Sequence, residues 1–462
     1  MRHEVFAVNW RRTIRGLAML LVAACLVAPP SAVAQEDRDE RIEQLEEKVD
    51  ELRRILETRD DADLVEIRRQ IDAITVELER LRLGSEVVAA DSSIFGFGPA
   101  ASKIYATQQG VSIGGYGEAL YENFAGERED GAEASASDQF DFLRAIIYAG
   151  YKFNDRFLLN TEFEFEHAST SIDGSASVEF AYLDYLFAEN AGIRAGMLLL
   201  PIGFINELHE PTTWLGAIRP VTESRIIPST WRENGFGVFA DLEDVSLRAY
   251  VVNGLDGTGG FSASGLRGGR QKGSNALAED FALAARADYT GQPGFVLGGS
   301  AYIGGSGQGA DDPLDPGEEI GARTVIVEGH AGYKANGFDL RGLFAMADVS
   351  DVESLNAVNG FTGMASVGER LEGWYVQAGY DVLRYADTDV ALEPYLRYES
   401  VNTQAEVPDG FMADPANDLT VLSIGAALRP IPEIIVKTDY QIQSTEAETG
   451  VDQFNVSFGY IF

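Results

Sequence analysis

Side chains alternate between apolar and polar or small along the last ten residues of the chain. Every second residue from Phe454 to Phe462 is apolar, and the positions between them include Asn455, Ser457 and Gly459. An extended strand places successive side chains on opposite faces, so this segment predicts a β-strand with one apolar face. The alternation recurs through most of the chain without helices that could cover those faces. Lipid cannot hydrogen-bond to open strand edges, so the pattern predicts an all-β, antiparallel transmembrane β-barrel.

Sixteen alternating segments can be placed between residue 111 and the C terminus. They lie near residues 111–123, 139–151, 157–167, 178–187, 193–199, 236–241, 245–253, 278–289, 295–303, 324–335, 338–347, 372–381, 390–400, 418–428, 434–443 and 453–462. The connections alternate between short turns and longer loops, as in outer-membrane barrels with short periplasmic turns and long external loops. We therefore expect 16 strands in residues 111–462, with a count two lower or two higher as the alternative.

Composition excludes several other classes of protein. The chain has 462 residues, and no apolar run reaches the roughly 20 residues that a transmembrane helix needs. Its formal net charge of -37 would repel a polyanion, so no nucleic-acid partner is expected. One cysteine and four histidines offer few soft metal ligands, and the acidic loop Asp311–Asp315 lacks the spacing of an EF-hand. We expect no cofactor and no metal site.

Residues 1–34 have the pattern of a secretory signal peptide. A basic front is followed by an apolar stretch from Leu17 to Ala28, and Ala32–Ala34 resembles a small-residue cleavage motif. Cleavage before Cys25, as in a lipoprotein, is the alternative, but it would use a shorter apolar region. Export places the mature chain outside the cytoplasm.

Residues 35–83 carry apolar side chains at alternating spacings of three and four, from Ile42 to Leu81 with one irregular step. This heptad pattern predicts a coiled-coil stalk, and the alternative is an amphipathic helix folded against its own domain. Arg41–Glu46 resembles a motif that favours trimers, because arginine and glutamate can pair across chains. Residues 84–110 are expected to form a linker between the periplasmic stalk and the barrel.

The polar face of each predicted strand points into the barrel. The candidates for the lumen wall are Glu162, Glu164, Glu166, Arg248, Arg286, Arg341, Arg397 and Lys437. Sixteen strands enclose an interior that is too wide for side chains to fill, so these positions predict an aqueous channel. Acids outnumber bases among the inward-facing charges, which predicts a lumen that does not favour anions.

The connection between the fifth and sixth segments, residues 200–235, is the longest. It contains four prolines, the tryptophans Trp214 and Trp231, and charges of both signs. These features predict a loop that folds against protein and narrows the pore. The predicted constriction residues are Glu207, His209, Glu210, Arg219, Glu223, Arg225 and Arg232. An external loop that contacts a neighbouring subunit or lipopolysaccharide is the alternative.

Three segments resemble porins related to the phosphate-selective outer-membrane porins: Ser112–Glu118, Pro201–Pro211 and Ile226–Glu233. The terminal Phe462 is similar to the signal that such barrels present to their assembly machinery. The resemblance implies a homotrimer of 16-stranded barrels in the outer membrane of a Gram-negative bacterium. It also implies that the third long loop, the connection of residues 200–235, lies in the pore. Phosphate-selective members line the channel with arginine and lysine, whereas acids outnumber bases more than two to one in residues 84–462. We therefore expect a weak preference for cations.

These features predict a porin through which small hydrophilic solutes or ions diffuse passively, in contact with outer-membrane lipid and lipopolysaccharide. A structural anchor, whose coiled coil reaches towards the cell wall, is one alternative. A hydrolase is another, but it would need a nucleophile and a base. The histidines after the signal peptide, His167, His209 and His330, stand in separate segments without a recognisable motif, so no catalytic residue is expected.

Overall fold

The computed structural model describes residues 93–107, 109–168 and 174–462. The predicted signal peptide and coiled coil, and the first part of the predicted linker, lie outside the described residues. Sixteen strands form one closed barrel in which each strand is antiparallel to its neighbours, and β1 pairs with β16 to close it. The predicted 16-stranded antiparallel barrel is confirmed.

The strands follow one another around the barrel in sequence order. Their bounds are β1 Gly110–Phe124, β2 Gln139–Lys152, β3 Phe157–Glu166, β4 Ser175–Ala188, β5 Ala191–Leu199, β6 Arg232–Asp241, β7 Val245–Asn253, β8 Phe281–Tyr289, β9 Phe295–Gly305, β10 Arg323–Ala335, β11 Phe338–Val349, β12 Arg370–Tyr380, β13 Ala391–Glu406, β14 Asp418–Ile431, β15 Ile434–Thr445 and β16 Gln453–Ile461. Each predicted segment corresponds to one strand. The largest differences in bounds are the start of β6 and the end of β13, where polar residues continue the ladder beyond the apolar alternation.

Short connections lie at one end of the barrel and long ones at the other. The connection between β10 and β11 is the pair Asn336 and Gly337, whose φ angles of 56° and 80° suit the tight turn that a two-residue hairpin needs. The longest connection, residues 200–231, joins β5 to β6 at the opposite end. We call these ends the turn end and the loop end.

Inward and outward faces alternate along the strands as the sequence predicts. On β16, Asn455 and Ser457 are buried, with exposed fractions of 0% and 1%, whereas Phe458 is 42% exposed on the outer surface. Aromatic side chains are in contact with each other on strands near the turn end, as in Tyr151–Phe153, Phe157–Tyr185, Tyr289–Phe295, Phe338–Tyr380 and Phe458–Tyr460. The outer surface is therefore apolar, with an aromatic band towards the turn end.

In the part of the chain that the structure describes, four short α-helices accompany the barrel. They are α1 Pro99–Ala106, α2 Thr222–Arg225, α3 Gly257–Gly260 and α4 Val352–Asn359. None of the helices in the described part of the chain is long and apolar enough to cross a bilayer. Helix α1 lies in the segment that the sequence analysis treats only as a linker, and proline at its first position suits a helix start.

The two faces of β16 give a test of the register. Phe458→Asp places a charge on the outer surface and is expected to destabilise a membrane-embedded barrel by about 2 kcal/mol. Ser457→Asp is expected to be tolerated, because Ser457 lies directly opposite Lys437 on β15, whose Nζ has no hydrogen-bond partner among the described residues. The folded fraction after insertion, measured by the heat-dependent shift of the band on a gel, distinguishes the two. Equal tolerance of both substitutions would contradict the register.

Candidate functional site

The third loop, residues 200–231, folds back into the barrel. Its apolar side chains form a buried cluster that includes Ile202, Ile205, Leu215, Ile227 and Trp231. Inward-facing side chains of distant strands bind its backbone. Arg341 on β11 donates to the carbonyl of Thr213 at 2.6 Å, and Asp439 on β15 accepts from the amide of Ala217 at 2.7 Å. The loop thus lies against the inner wall and not outside the barrel.

The short helix α2 within the third loop is fixed by carboxylates. Glu223 accepts hydrogen bonds from the amide of Ile205 and from the hydroxyl of Tyr375 on β12, both at 2.6 Å. Glu399 on β13 accepts from the amide of Thr222 at 3.3 Å. These bonds satisfy buried amides that would otherwise lack partners. Helix α2 therefore has a defined position against β12 and β13.

Five of the seven predicted constriction residues are buried in bonds within the protein: Glu207, His209, Glu210, Glu223 and Arg232. Glu207 accepts from Arg248 on β7 at 2.9 Å, and Arg232 at the start of β6 pairs with Glu179 on β4. Their polar groups therefore bind within the protein instead of facing open space. Sequence alone could not separate them from Arg219 and Arg225, because their partners lie on strands far away in the chain.

His209 and Glu210 are consecutive buried residues of the third loop. The Nδ1 atom of His209 lies 3.0 Å from the carbonyl oxygen of Asn206, and its Nε2 atom lies 3.2 Å from Glu162 on β3. Burial lowers the pKa of His209 to about 4, so its ring is neutral at pH 7. Burial raises the pKa of Glu210 to about 7, although the amides of two α1 residues, which donate to its carboxylate, act in the opposite direction.

Five residues between 218 and 225 in the third loop are half-buried, and we call them the passage face. It consists of Ile218, Arg219, Val221, Ser224 and Arg225. No carboxylate in the described part of the chain lies within 4.0 Å of either arginine. Burial lowers the pKa of both arginines, and for Arg219 the charge of nearby Arg144 adds to this effect. The passage face therefore carries two arginines without a salt bridge, although Glu118 and Glu164 act on Arg219 from a longer distance.

Trp214 lies close to two cations, one of which belongs to the passage face. The guanidinium of Arg219 lies 5.3 Å from the centre of its ring, and Lys437 Nζ lies 4.0 Å from it. Both distances suit attraction between a cation and the ring's π electrons. Arg219 also donates to the carbonyl of His209 at 3.3 Å. Its position is therefore fixed by the loop itself.

The predicted lumen-wall residues all lie on inward faces of the strands. Most are buried, namely Glu162, Glu164, Arg248, Arg286, Arg397 and Lys437, and Glu166 and Arg341 are half-buried. The four arginines among them pair with carboxylates: Arg286 lies 2.7 Å from Asp288, and Arg397 lies 2.8 Å from Glu399, whereas Lys437 Nζ has no hydrogen-bond partner among the described residues. Most of these residues therefore face protein and not water. The third loop and residues 93–107 fill space that side chains alone would leave open. The sequence predicts a loop in the pore, but it does not predict that residues 93–107 also enter the barrel.

Two further arginines were missed by the sequence analysis. Arg267 and Arg270, in the loop between β7 and β8, donate to the hydroxyl of Thr230 at 3.1 and 2.8 Å. They therefore fasten this loop over the end of the third loop. The signal that could have found them is a cluster of three bases within residues 267–272 of a strongly acidic chain.

The fold is shared with solved outer-membrane proteins. The chain matches OmpF of Salmonella typhi, solved in complex with daunomycin, over 77% of this chain and 98% of that one, at 14% identity and a TM-score of 0.51. Two other solved structures match this chain with lower TM-scores. They are the loop L8 deletion mutant of OmpT of Vibrio cholerae (11% identity, 77% and 100% coverage, TM-score 0.49) and the channel DcaP of Acinetobacter baumannii (12%, 76% and 97%, TM-score 0.44). The likeness to OmpF shows that this chain has the 16-stranded barrel fold of the outer-membrane porins.

No protein-family model matches the sequence. A protein of Aquifex aeolicus (strain VF5), described as uncharacterized, is 35% identical over 393 residues, which are 83% of this chain and 87% of that protein. The chain belongs to the same family as this Aquifex protein.

Proposed function

We propose that the protein is an outer-membrane porin, a passive diffusion channel for small hydrophilic solutes or ions. The observation that carries the proposal is the passage face, which presents Arg219 and Arg225 inside a closed barrel. A barrel that served only as an anchor would have no need for half-buried arginines without a salt bridge in its interior. The apolar outer surface and the aromatic band near the turn end suit a bilayer and its interface.

The proposed location is the outer membrane of a Gram-negative bacterium, with the turn end on the periplasmic side. The proposed assembly is a homotrimer, in which the predicted coiled coil of residues 35–83 lies in the periplasm. Phe462, exposed at the C terminus, is the proposed signal for the barrel assembly machinery. Lipid and lipopolysaccharide would contact the outer surface.

The arrangement of charges supports a weakly selective channel. Acidic loop-end residues such as Asp130, Asp312 and Asp409 attract cations to the mouth of the barrel. Inside, the wall carboxylates are largely paired with arginines, so the passage face contributes a local positive charge that opposes cations. We infer a weak preference for cations at low salt. This is also where the chain differs from the phosphate-selective porins it resembles, since few unpaired bases line its interior.

Conductance measurement tests the proposal. Full-length protein, purified and inserted into planar lipid bilayers, is expected to give discrete conductance steps. Vesicles that contain it are expected to swell in small sugars and to swell less as sugar size rises. The matched control is the same protein unfolded by heat, which removes the barrel but leaves detergent and contaminants unchanged.

A structural anchor is the second candidate function. The burial of most lumen-wall residues favours it, because a filled interior conducts little. Under this alternative the folded protein would give no conductance steps, and deletion of residues 36–83 would remove its only function while leaving the barrel folded. Conductance steps in the folded protein would rule out an anchor as the sole role.

A further inference from the structure

Residues 93–107 cross the inside of the barrel before β1 begins, and we call this segment the strap. At one end, the amide of Phe95 donates to Asp241 at the end of β6, at 3.0 Å. In its middle, helix α1 buries Ala100, Ala101 and Ile104 against β1 to β3. The strap is therefore part of the packed interior.

An arginine cage fixes the strap to the wall. The guanidinium of Arg194 on β5 lies 4.5 Å from the ring centre of Phe97 in the strap and 4.3 Å from that of Tyr182 on β4. The hydroxyl of Tyr105 in the strap accepts from Arg194 at 2.7 Å and donates to Asp184 at 2.8 Å. These contacts hold Phe97 and Tyr105 of the strap against β4 and β5.

A single carboxylate fixes the strap to the third loop. The two oxygens of Glu210 accept from the amides of Ala100 and Ala101 at 3.0 and 2.9 Å. These amides belong to the first turn of α1, where no helix carbonyl can serve them and the helix dipole favours a negative charge. Gly98 lets the two segments approach, because a Cβ atom there would lie 2.6 Å from the Glu210 carboxyl carbon.

The strap is connected to the passage face through one residue. His209 precedes Glu210, and its carbonyl accepts the hydrogen bond of Arg219. A shift of Glu210 therefore moves the acceptor that positions Arg219. We propose that the strap sets the width of the passage by holding the third loop through Glu210, so that its release widens the passage. This inference rests on the proposed channel function.

A reversible cross-link tests the strap. The double variant Gly98→Cys/Glu210→Cys is suited to a disulfide, since a Cβ at Gly98 would lie 3.0 Å from Glu210 Cγ and the backbone φ of -61° there accepts a side chain. Cys25, the chain's single cysteine, is replaced by alanine in every sample. The reduced form lacks the carboxylate and is expected to show about twofold higher single-channel conductance than the parent, because conductance rises with open cross-section. Oxidation is expected to restore the parental value.

Two graded variants support the comparison. Glu210→Ala is expected to raise conductance more than Glu210→Gln, because glutamine keeps one oxygen that can accept from α1. A folding defect would appear equally in both redox states of the cross-linkable protein, so it cannot imitate the expected difference. Equal conductance in both states and in Glu210→Ala would overturn the strap and leave the channel proposal intact. Absence of conductance in the parent and in every variant would overturn the channel proposal and the strap together.

Discussion

Arg194→Met is expected to lower the free energy of unfolding of the barrel by about 3 kcal/mol, because the substitution leaves the buried carboxylate of Asp184 without its cationic partner. Arg194 and Asp184 are both buried and joined by two hydrogen bonds of 2.8 and 2.9 Å. The ring of Phe239 also lies 4.5 Å from the guanidinium. Methionine fills similar space but supplies no charge. Urea unfolding in lipid vesicles, followed by tryptophan fluorescence, measures the change.

The double variant Arg194→Met/Asp184→Leu is the matched control. It removes both charges and is expected to recover much of the lost stability, since replacement of a whole buried ion pair by apolar residues is often near neutral. Arg156→Met, at an exposed turn, controls for the loss of a positive charge alone. If Arg194→Met unfolds at the same urea concentration as the parent, the cage does not stabilise the barrel.

The barrel could be predicted from sequence because each strand has one face towards lipid and one towards the interior. That constraint appears locally, within a few residues, as on β16 between Phe454 and Tyr460. This alternation is absent where a strand continues beyond its lipid-facing part. The end of β13, from Val401 to Glu406, still pairs with β12, through a register shift, but carries mostly polar side chains, so alternation no longer marks it.

The interior could be predicted only in part. Sequence indicates that the third loop enters the barrel, because proline and tryptophan in a long polar connection suit a folded loop. It does not indicate which charges find partners, since pairs such as Glu207 and Arg248 join a loop to a strand 41 residues away. The position of the strap is harder still to predict from sequence. It has no periodicity, and its role depends on the distant Glu210.

Selectivity is expected to shift strongly towards cations when Arg219 and Arg225 are both replaced by alanine. These arginines carry the positive charge of the passage face, and neither forms a salt bridge with a described carboxylate. Glu118 and Glu164 lie near Arg219. After the arginines are removed, the negative charges of these two carboxylates are balanced mainly by Arg144, which pairs with both. The reversal potential across a KCl gradient measures the shift. The effect is expected to fade as salt rises, because the screening length is about 8 Å at about 0.15 M ionic strength.

The matched control for this prediction is Arg156→Ala/Arg384→Ala. It removes the same two positive charges from exposed positions at the turn end, outside the passage face. We expect it to leave the reversal potential almost unchanged, because exposed charges at a wide mouth are more fully screened than charges within a narrow passage. Equal shifts in both double variants would mean that total charge, and not the passage face, determines selectivity. A strong anion preference in the parent, abolished only by loss of Arg219 and Arg225, would instead identify a channel of the phosphate-selective type.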